Sequence, residues 1–154
     1  MNITYKKADA SDIDILIKTR IQVLRAVNKL SDKADISLVI KESYLYYQNC
    51  FKDDTHAAYL AFDGDVFVGS GGICFYKVMP SYENSCGRKA YIMNIYTNPD
   101  YRRKRIAFTI LDLLIKEAKN RSIYDISLEA TSMGRPLYEK YGFIALENEM
   151  ELHK

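Results

Sequence analysis

The 154-residue chain has little of anything that would mark a specialised class. It has three cysteines, Cys50, Cys74 and Cys86, an odd number with no metal-ligand spacing, so they read as reduced thiols and neither a disulfide framework nor a metal centre is expected. Seven glycines and three prolines form no repeat, low-complexity tract or linker. No hydrophobic run approaches a membrane span, and Met1 to Lys7 lacks a signal core, which predicts a cytoplasmic protein with no membrane partner. A formal net charge of +2 gives no general case for nucleic acid. What remains, 48% apolar and 27% charged residues, has the composition of one globular domain over residues 1–154. A chain of this length buries roughly 70% of its unfolded surface.

The most informative stretch runs from Tyr91 to Ala118. Tyr91, Ile92, Met93, Ile95, Tyr96 and Thr97 are mostly β-formers, and Asn98-Pro99-Asp100 closes the strand. Ile106, Ala107, Ile110, Leu111, Leu114 and Ala118 then recur at helical spacing. Between them lie Arg102, Arg103, Lys104 and Arg105, four basic residues where a helix begins. A helix start has unpartnered N–H groups and the positive end of the macrodipole, so a phosphate site is the leading reading. A solvated helix start is the plain alternative.

The other elements follow in order. Ile3 to Ala8 reads as a strand, and Ser11 as the N-cap of a helix with Asp12 and Asp14 in its first turn. Ile13, Leu16, Ile17, Arg20, Ile21, Leu24 and Val27 mark that helix, which ends near Asn28. A second helix is expected over about residues 34–51; its Tyr44, Tyr46 and Tyr47 are either core or the lining of an acceptor pocket. Residues 56–62 and 66–76 flank the hairpin signal Asp63-Gly64. Gly69, Gly71 and Gly72 lack a following helix, so they read as a bulge or a close approach of backbones. Met79 to Gly87 is a loop in which Glu83 could face substrate, although exposed loop glutamates usually have no role. Residues 123–129 form a strand, and Thr131 or Ser132 caps a short helix with Pro136 in its first turn and Gly142 at its end. One or two last strands are expected over residues 143–152. The order predicts an α/β (α+β) mixed sheet flanked by helices.

Arg102-x-x-Arg105-x-Ala107, opening a helix after a strand, resembles the Gln/Arg-x-x-Gly-x-Gly/Ala acetyl-CoA signature of the GNAT superfamily of N-acetyltransferases, with arginine in place of the middle glycine. Leu137-Tyr138-Glu139-Lys140-Tyr141-Gly142-Phe143 matches a second family segment downstream. The resemblance implies a mixed, mostly antiparallel sheet of roughly six to seven strands flanked by about four helices. The two central strands would splay apart to admit the pantetheine arm of acetyl-CoA. It further implies main-chain contacts to that arm from Ile95, Tyr96 and Thr97, and a pyrophosphate site at Arg102, Arg103, Lys104, Arg105, Ile106 and Ala107. Tyr138 would be the general acid, and Thr131 stands where the family often has a CoA-contacting asparagine. Arg105 is expected to keep ordinary helical φ with its guanidinium near CoA; an obstructed site is the alternative.

No base is legible. Tyr91 occupies a position that is glutamate in some relatives, Glu129 is the best-placed carboxylate, and His56 and His153 read as structural or exposed. The implied function is transfer of the acetyl group of acetyl-CoA, without a metal, to the primary amine of a small molecule. A protein or peptide acetyltransferase and a non-catalytic acyl-CoA-binding or partner-binding domain are the alternatives. The resemblance also admits a homodimer through the C-terminal strands.

Overall fold

A computed structural model describes residues 1–154. The element order is β1 (Ile3–Lys7), α1 (Ile13–Val27), α2 (Ser37–Asp53), β2 (His56–Asp63), β3 (Val66–Lys77), β4 (Arg88–Thr97), α3 (Ile106–Asn120), β5 (Ile126–Leu128) and α4 (Arg135–Tyr141). The strands lie in sequence order in a single five-stranded sheet, antiparallel except for the parallel pair β4–β5. The parallel pair β4–β5 is joined by a crossover through the single α-helix α3, whereas β1 and β2, joined through α1 and α2, pair antiparallel. No helix is long and apolar enough to cross a membrane.

The sheet has five strands where six to seven were expected, and β5 is an edge strand rather than one of two central ones. Residues 143–152 form no strand. Leu146, Met150 and Leu152 alternate with acidic residues in a strand-like way, but β5 offers a ladder of only three residues, too short to order them. Three starts also move. The helical start at residues 9–12 is capped by Asp9, whose side chain accepts from the Ser11 amide while Asp12 returns the bond, so Ser11 is not the cap. The second helix runs Ser37–Asp53, and the fifth strand is trimmed to Ile126–Leu128.

Two apolar clusters cover the sheet's faces. On one, Ile106, Ile110, Leu111, Leu114 and Ile115 of α3 pack on Ala57, Ala61, Val68, Ile73 and Ile92, with Tyr138 joining from α4. On the other, Leu16 and Ile17 of α1 and Tyr47 and Cys50 of α2 pack on Ala58 and Leu60. Gly69 and Gly71 of β3 belong to the first face, and Gly72 faces the second, under His56. A Cβ on Gly71 would lie 2.4 Å from Ile110 Cγ2 and 2.8 Å from Ile95 Cδ1, so glycine is what lets α3 seat against the sheet. Opposite Gly71 the ladder shifts between Ser70 and Gly72, with Asn94 and Ile95 inserted on β4. Both expectations for these glycines, bulge and close approach, hold at this point.

Candidate active site

The bulge divides β4 into two stretches with different neighbours. Ala90, Tyr91 and Ile92 pair with Ile126, Ser127 and Leu128, and beyond Ile92 β4 has no partner on the β5 side. The bulge also resets the parity of the strand. Before it Ala90 donates toward β5, to Asp125 O at 2.9 Å; after it Asn98 donates toward β3, to Val68 O at 2.8 Å. With a period of two, Ile95 and Thr97 then turn their N–H and C=O groups to the open side. Ser70 reinforces this. Its buried hydroxyl donates to Asn94 O at 3.0 Å, and in a trans peptide the next amide, Ile95 N–H, points the opposite way. Asn94 takes φ 63°, a left-handed conformation in which asparagine is less strained than most residues.

The open edge leads to the start of α3. None of the amides from Arg103 to Phe108 donates within the protein, the first helical bond being Thr109 N–H to Arg105 O at 3.0 Å. Arg103 and Arg105 have φ 63° and 62°. The ordinary helical φ expected of Arg105 is therefore overturned. The chain turns sharply between Pro99–Tyr101 and α3, and Arg105 fills the left-handed position where the family signature has glycine. Its side chain swings aside, the guanidinium lying 4.7 Å from the centre of the Phe108 ring, and Lys104 leans on Tyr101 in the same way at 5.0 Å. Arg102, Arg103, Lys104 and Arg105 are exposed and none is ion-paired. Ile106 is buried and Ala107 half-buried. At the end of β4, Thr97 Oγ1 is the buried side-chain oxygen that finds no partner.

Ile106 and Tyr138 belong to one apolar cluster, against which Ile95 and Leu128 pack, so the separated motif segments lie on the same face of the sheet. Tyr138 is 8% exposed, edge-on to Phe143, with its ring beside Gly134, where a Cβ would come within 3.0 Å. Burial alone raises its pKa, which keeps the phenol protonated at neutral pH. Thr131 Oγ1 accepts from Gly134 N–H at 3.1 Å and shapes the turn into α4, whose N-cap is Gly134. Glu129 follows β5, exposed and without an ion pair. The Tyr91 phenol lies near it and has a raised pKa, first through burial and then through the Glu129 charge.

On the α1/α2 side of the same bulge lies a cavity of about 650 Å³, floored by Ser70, Gly72 and Cys74 and bordered by Met93 and Asn94. Tyr46 and Tyr47 line it, Tyr47 also belonging to the buried core cluster of that face, whereas Tyr44 turns instead to Asp14. Among the lining residues that the sequence did not single out for a site are His56 and Arg20. The buried His56 ring shares a hydrogen bond with the Tyr46 hydroxyl, Nδ1 to Oη 2.8 Å, and its Nε2 lies over Gly72. Burial lowers its pKa to about 4, so the imidazole is neutral and a weak base at pH 7. Glu83 stays in the exposed loop, and His153 is exposed near the C-terminus.

A model of the acetyltransferase (GNAT) family matches residues 24–143. The crystal structure of a predicted acetyltransferase with acetyl-CoA from Clostridium acetobutylicum is 36% identical over 99% of this chain and 96% of its own, with a TM-score of 0.88. A GCN5-related N-acetyltransferase from Ralstonia eutropha shares the fold at 18% identity and a TM-score of 0.79, over 99% of each chain. AAC(6')-Iy in complex with the bisubstrate analogue CoA-S-monomethyl-acetylneamine does so at 11% identity and 0.76, over 100% of this chain and 99% of its own. No curated protein matches the chain.

Proposed function

Because the chain belongs to the acetyltransferase (GNAT) family, we propose that it moves the acetyl group of acetyl-CoA to the primary amine of a small molecule, by direct attack in a ternary complex. The observation that carries this reading is the open edge of β4, which runs from Ile95 and Thr97 to the free amides of Arg103–Phe108. These groups suit acetyl-CoA. A strand edge complements the amides of the pantetheine arm, and unpaired N–H groups among basic side chains complement a pyrophosphate. The partnerless Thr97 hydroxyl and the exposed Thr131 add further polar contacts.

In the reaction, the Ile95 amide donates to the thioester oxygen as negative charge develops there. The neutral amine attacks the carbonyl carbon, the C–N bond forms and the C–S bond breaks. Tyr138 gives its phenolic proton to the departing sulfur. The proton lost by the amine passes through water to Glu129 or to bulk solvent, and the phenol is later reprotonated. His56 is too weak a base for that step. A small acceptor is favoured because α2 walls the cavity, whose volume is ordinary for small-molecule sites. The bare edge of β5 beside the exposed Ile144, Leu146, Met150 and Leu152 supports a homodimer through the C-terminal segment, to be checked by sedimentation.

Calorimetric titration tests the cofactor reading. Micromolar binding of acetyl-CoA and CoA, with ATP much weaker, is expected. No binding at millimolar acetyl-CoA would overturn it.

A further inference from the structure

The acceptor cavity holds a charge that this mechanism leaves unused. Arg20 points from α1 into the cavity wall, half-buried, and its Nη1 donates to Asn94 Oδ1 at 2.8 Å. That is its one side-chain hydrogen bond, and the six ion pairs of the protein do not include it. A guanidinium carries five N–H donors in a planar fork, so most of this one is uncommitted. Holding a cation partly out of water with only a neutral partner is unfavourable. The cavity's own groups do not neutralise it. Glu42, its one lining carboxylate, is exposed and makes no ion pair. Tyr46 has its pKa pushed up, chiefly by burial, and His56 is held neutral. The buried part of the cavity thus carries a single fixed charge, and it is positive.

The position of that charge matters as much as its sign. Arg20 bonds the side chain of Asn94, and the next amide, Ile95 N–H, is the one turned toward the open edge. An acidic group held by Arg20 would sit one residue from the proposed reacting carbonyl.

We propose that the acceptor is an amine bearing a carboxylate close to its amino group, an α- or β-amino acid, and that Arg20 grips the carboxylate through the free edge of its fork. The proposal rests on the acetyltransferase reading above and narrows its substrate class. Arg suits the role because two parallel N–H groups match the two oxygens of a carboxylate. An anchor on the acid fixes the distance and direction of the neighbouring amine, which is what a bimolecular attack requires. Arg20 is then a specificity-determining residue that touches the substrate and not the reacting atoms.

The test uses matched amines in an acetyl-CoA thiol-release assay: phenylalanine against phenethylamine, methionine against 3-(methylthio)propylamine, and β-alanine against ethylamine, with O-phosphoethanolamine as the phosphate counterpart. The expected result is a kcat/KM at least about tenfold higher for the acid member of the best pair, the worth of one charge-assisted contact. In Arg20→Gln the ratio should fall to about one while acetyl-CoA affinity holds. Asn94→Ala, which removes the Arg20 clamp but keeps the charge, should retain the preference even if overall turnover drops. Preference for the amine lacking the acid, for the phosphate, or an unchanged ratio in Arg20→Gln would overturn the proposal. The last outcome would make Arg20 a brace for the bulge. Should no member be turned over, N-acetylphenylalanine and N-acetylphenethylamine titrated into the CoA complex give the same comparison; equal or absent binding would overturn the proposal. Failure of acetyl-CoA itself to bind is a separate result and removes the acetyltransferase reading.

Discussion

The two sides of the β4 bulge are built from different materials. Toward β5 and α3 the candidate cofactor cleft is mostly main chain: the outward amides of Ile95 and Thr97 and the unpaired amides of Arg103–Phe108. Toward α1 and α2 the proposed acceptor cavity is made of side chains, with Arg20, Tyr46, His56 and Ser70 each contributed by a different element. A site of amides needs a backbone path and tolerates changes of side chain along it. A site of side chains is defined by their identity. This difference accounts for a candidate cofactor cleft that is recognisable with arginine at the signature glycine, beside a cavity that matches no motif.

Tyr138→Phe draws the comparison most sharply. The substitution keeps the ring against Gly134 and Phe143 and removes only the hydroxyl, and with it the transferable proton. Turnover should fall on the order of 10²–10⁴-fold, the usual worth of a general acid, with acetyl-CoA affinity little changed. Because the lost step lies on the cofactor side, every acceptor should be slowed alike. Equal turnover by steady-state kinetics would remove Tyr138 from the mechanism and leave it a core residue.

His56 tests the other side through pH. Its folded pKa is about 4, below the unfolded value of about 6.5. The unfolded state therefore binds more protons between these values, and stability rises with pH across them. Stability should be level above about pH 6.5 and fall as the pH drops toward 4, by on the order of 3 kcal/mol. In His56→Gln this part of the acid loss should vanish while acetyl-CoA binding at pH 7 is retained. Denaturant unfolding at several pH values measures it. An unchanged acid slope would mean that the buried imidazole is not what titrates.

The same contrast explains what could be read from the sequence. The strand, basic turn and helix from Tyr91 to Ala118 are contiguous, so propensity and helical spacing expose them, and the Tyr138 to Gly142 segment carries its own stop signal. The proposed acceptor cavity is assembled from afar: Arg20 and Asn94 are 74 residues apart and meet only through the fold. One signal was present. Arg20 lies on the apolar stripe of its helix between Ile17 and Leu24, where a cation needs a reason. The C-terminal strands misled because alternation alone does not supply a partner ladder. Positive φ at Arg105 was illegible because residue type argues against it and the path of the loop decides it.

Arg105→Gly is the smallest perturbation and bears on whether the cofactor cleft is truly a main-chain site. Glycine adopts φ 62° without the penalty other residues meet, about 1–2 kcal/mol in the left-handed region. Against that gain stands the lost contact of the guanidinium with Phe108, about 0.5–1 kcal/mol at an exposed site. Folding stability should therefore rise by at most about 1.5 kcal/mol, the largest difference of those two effects. The amides around residue 105 stay where they are, and one positive charge leaves their neighbourhood. Acetyl-CoA affinity by calorimetry should then be unchanged or weaker by about threefold, in line with loss of a single exposed charge. A gain of tenfold or more would mean that the arginine obstructs the phosphate path, and that side chain as well as backbone governs this half of the molecule.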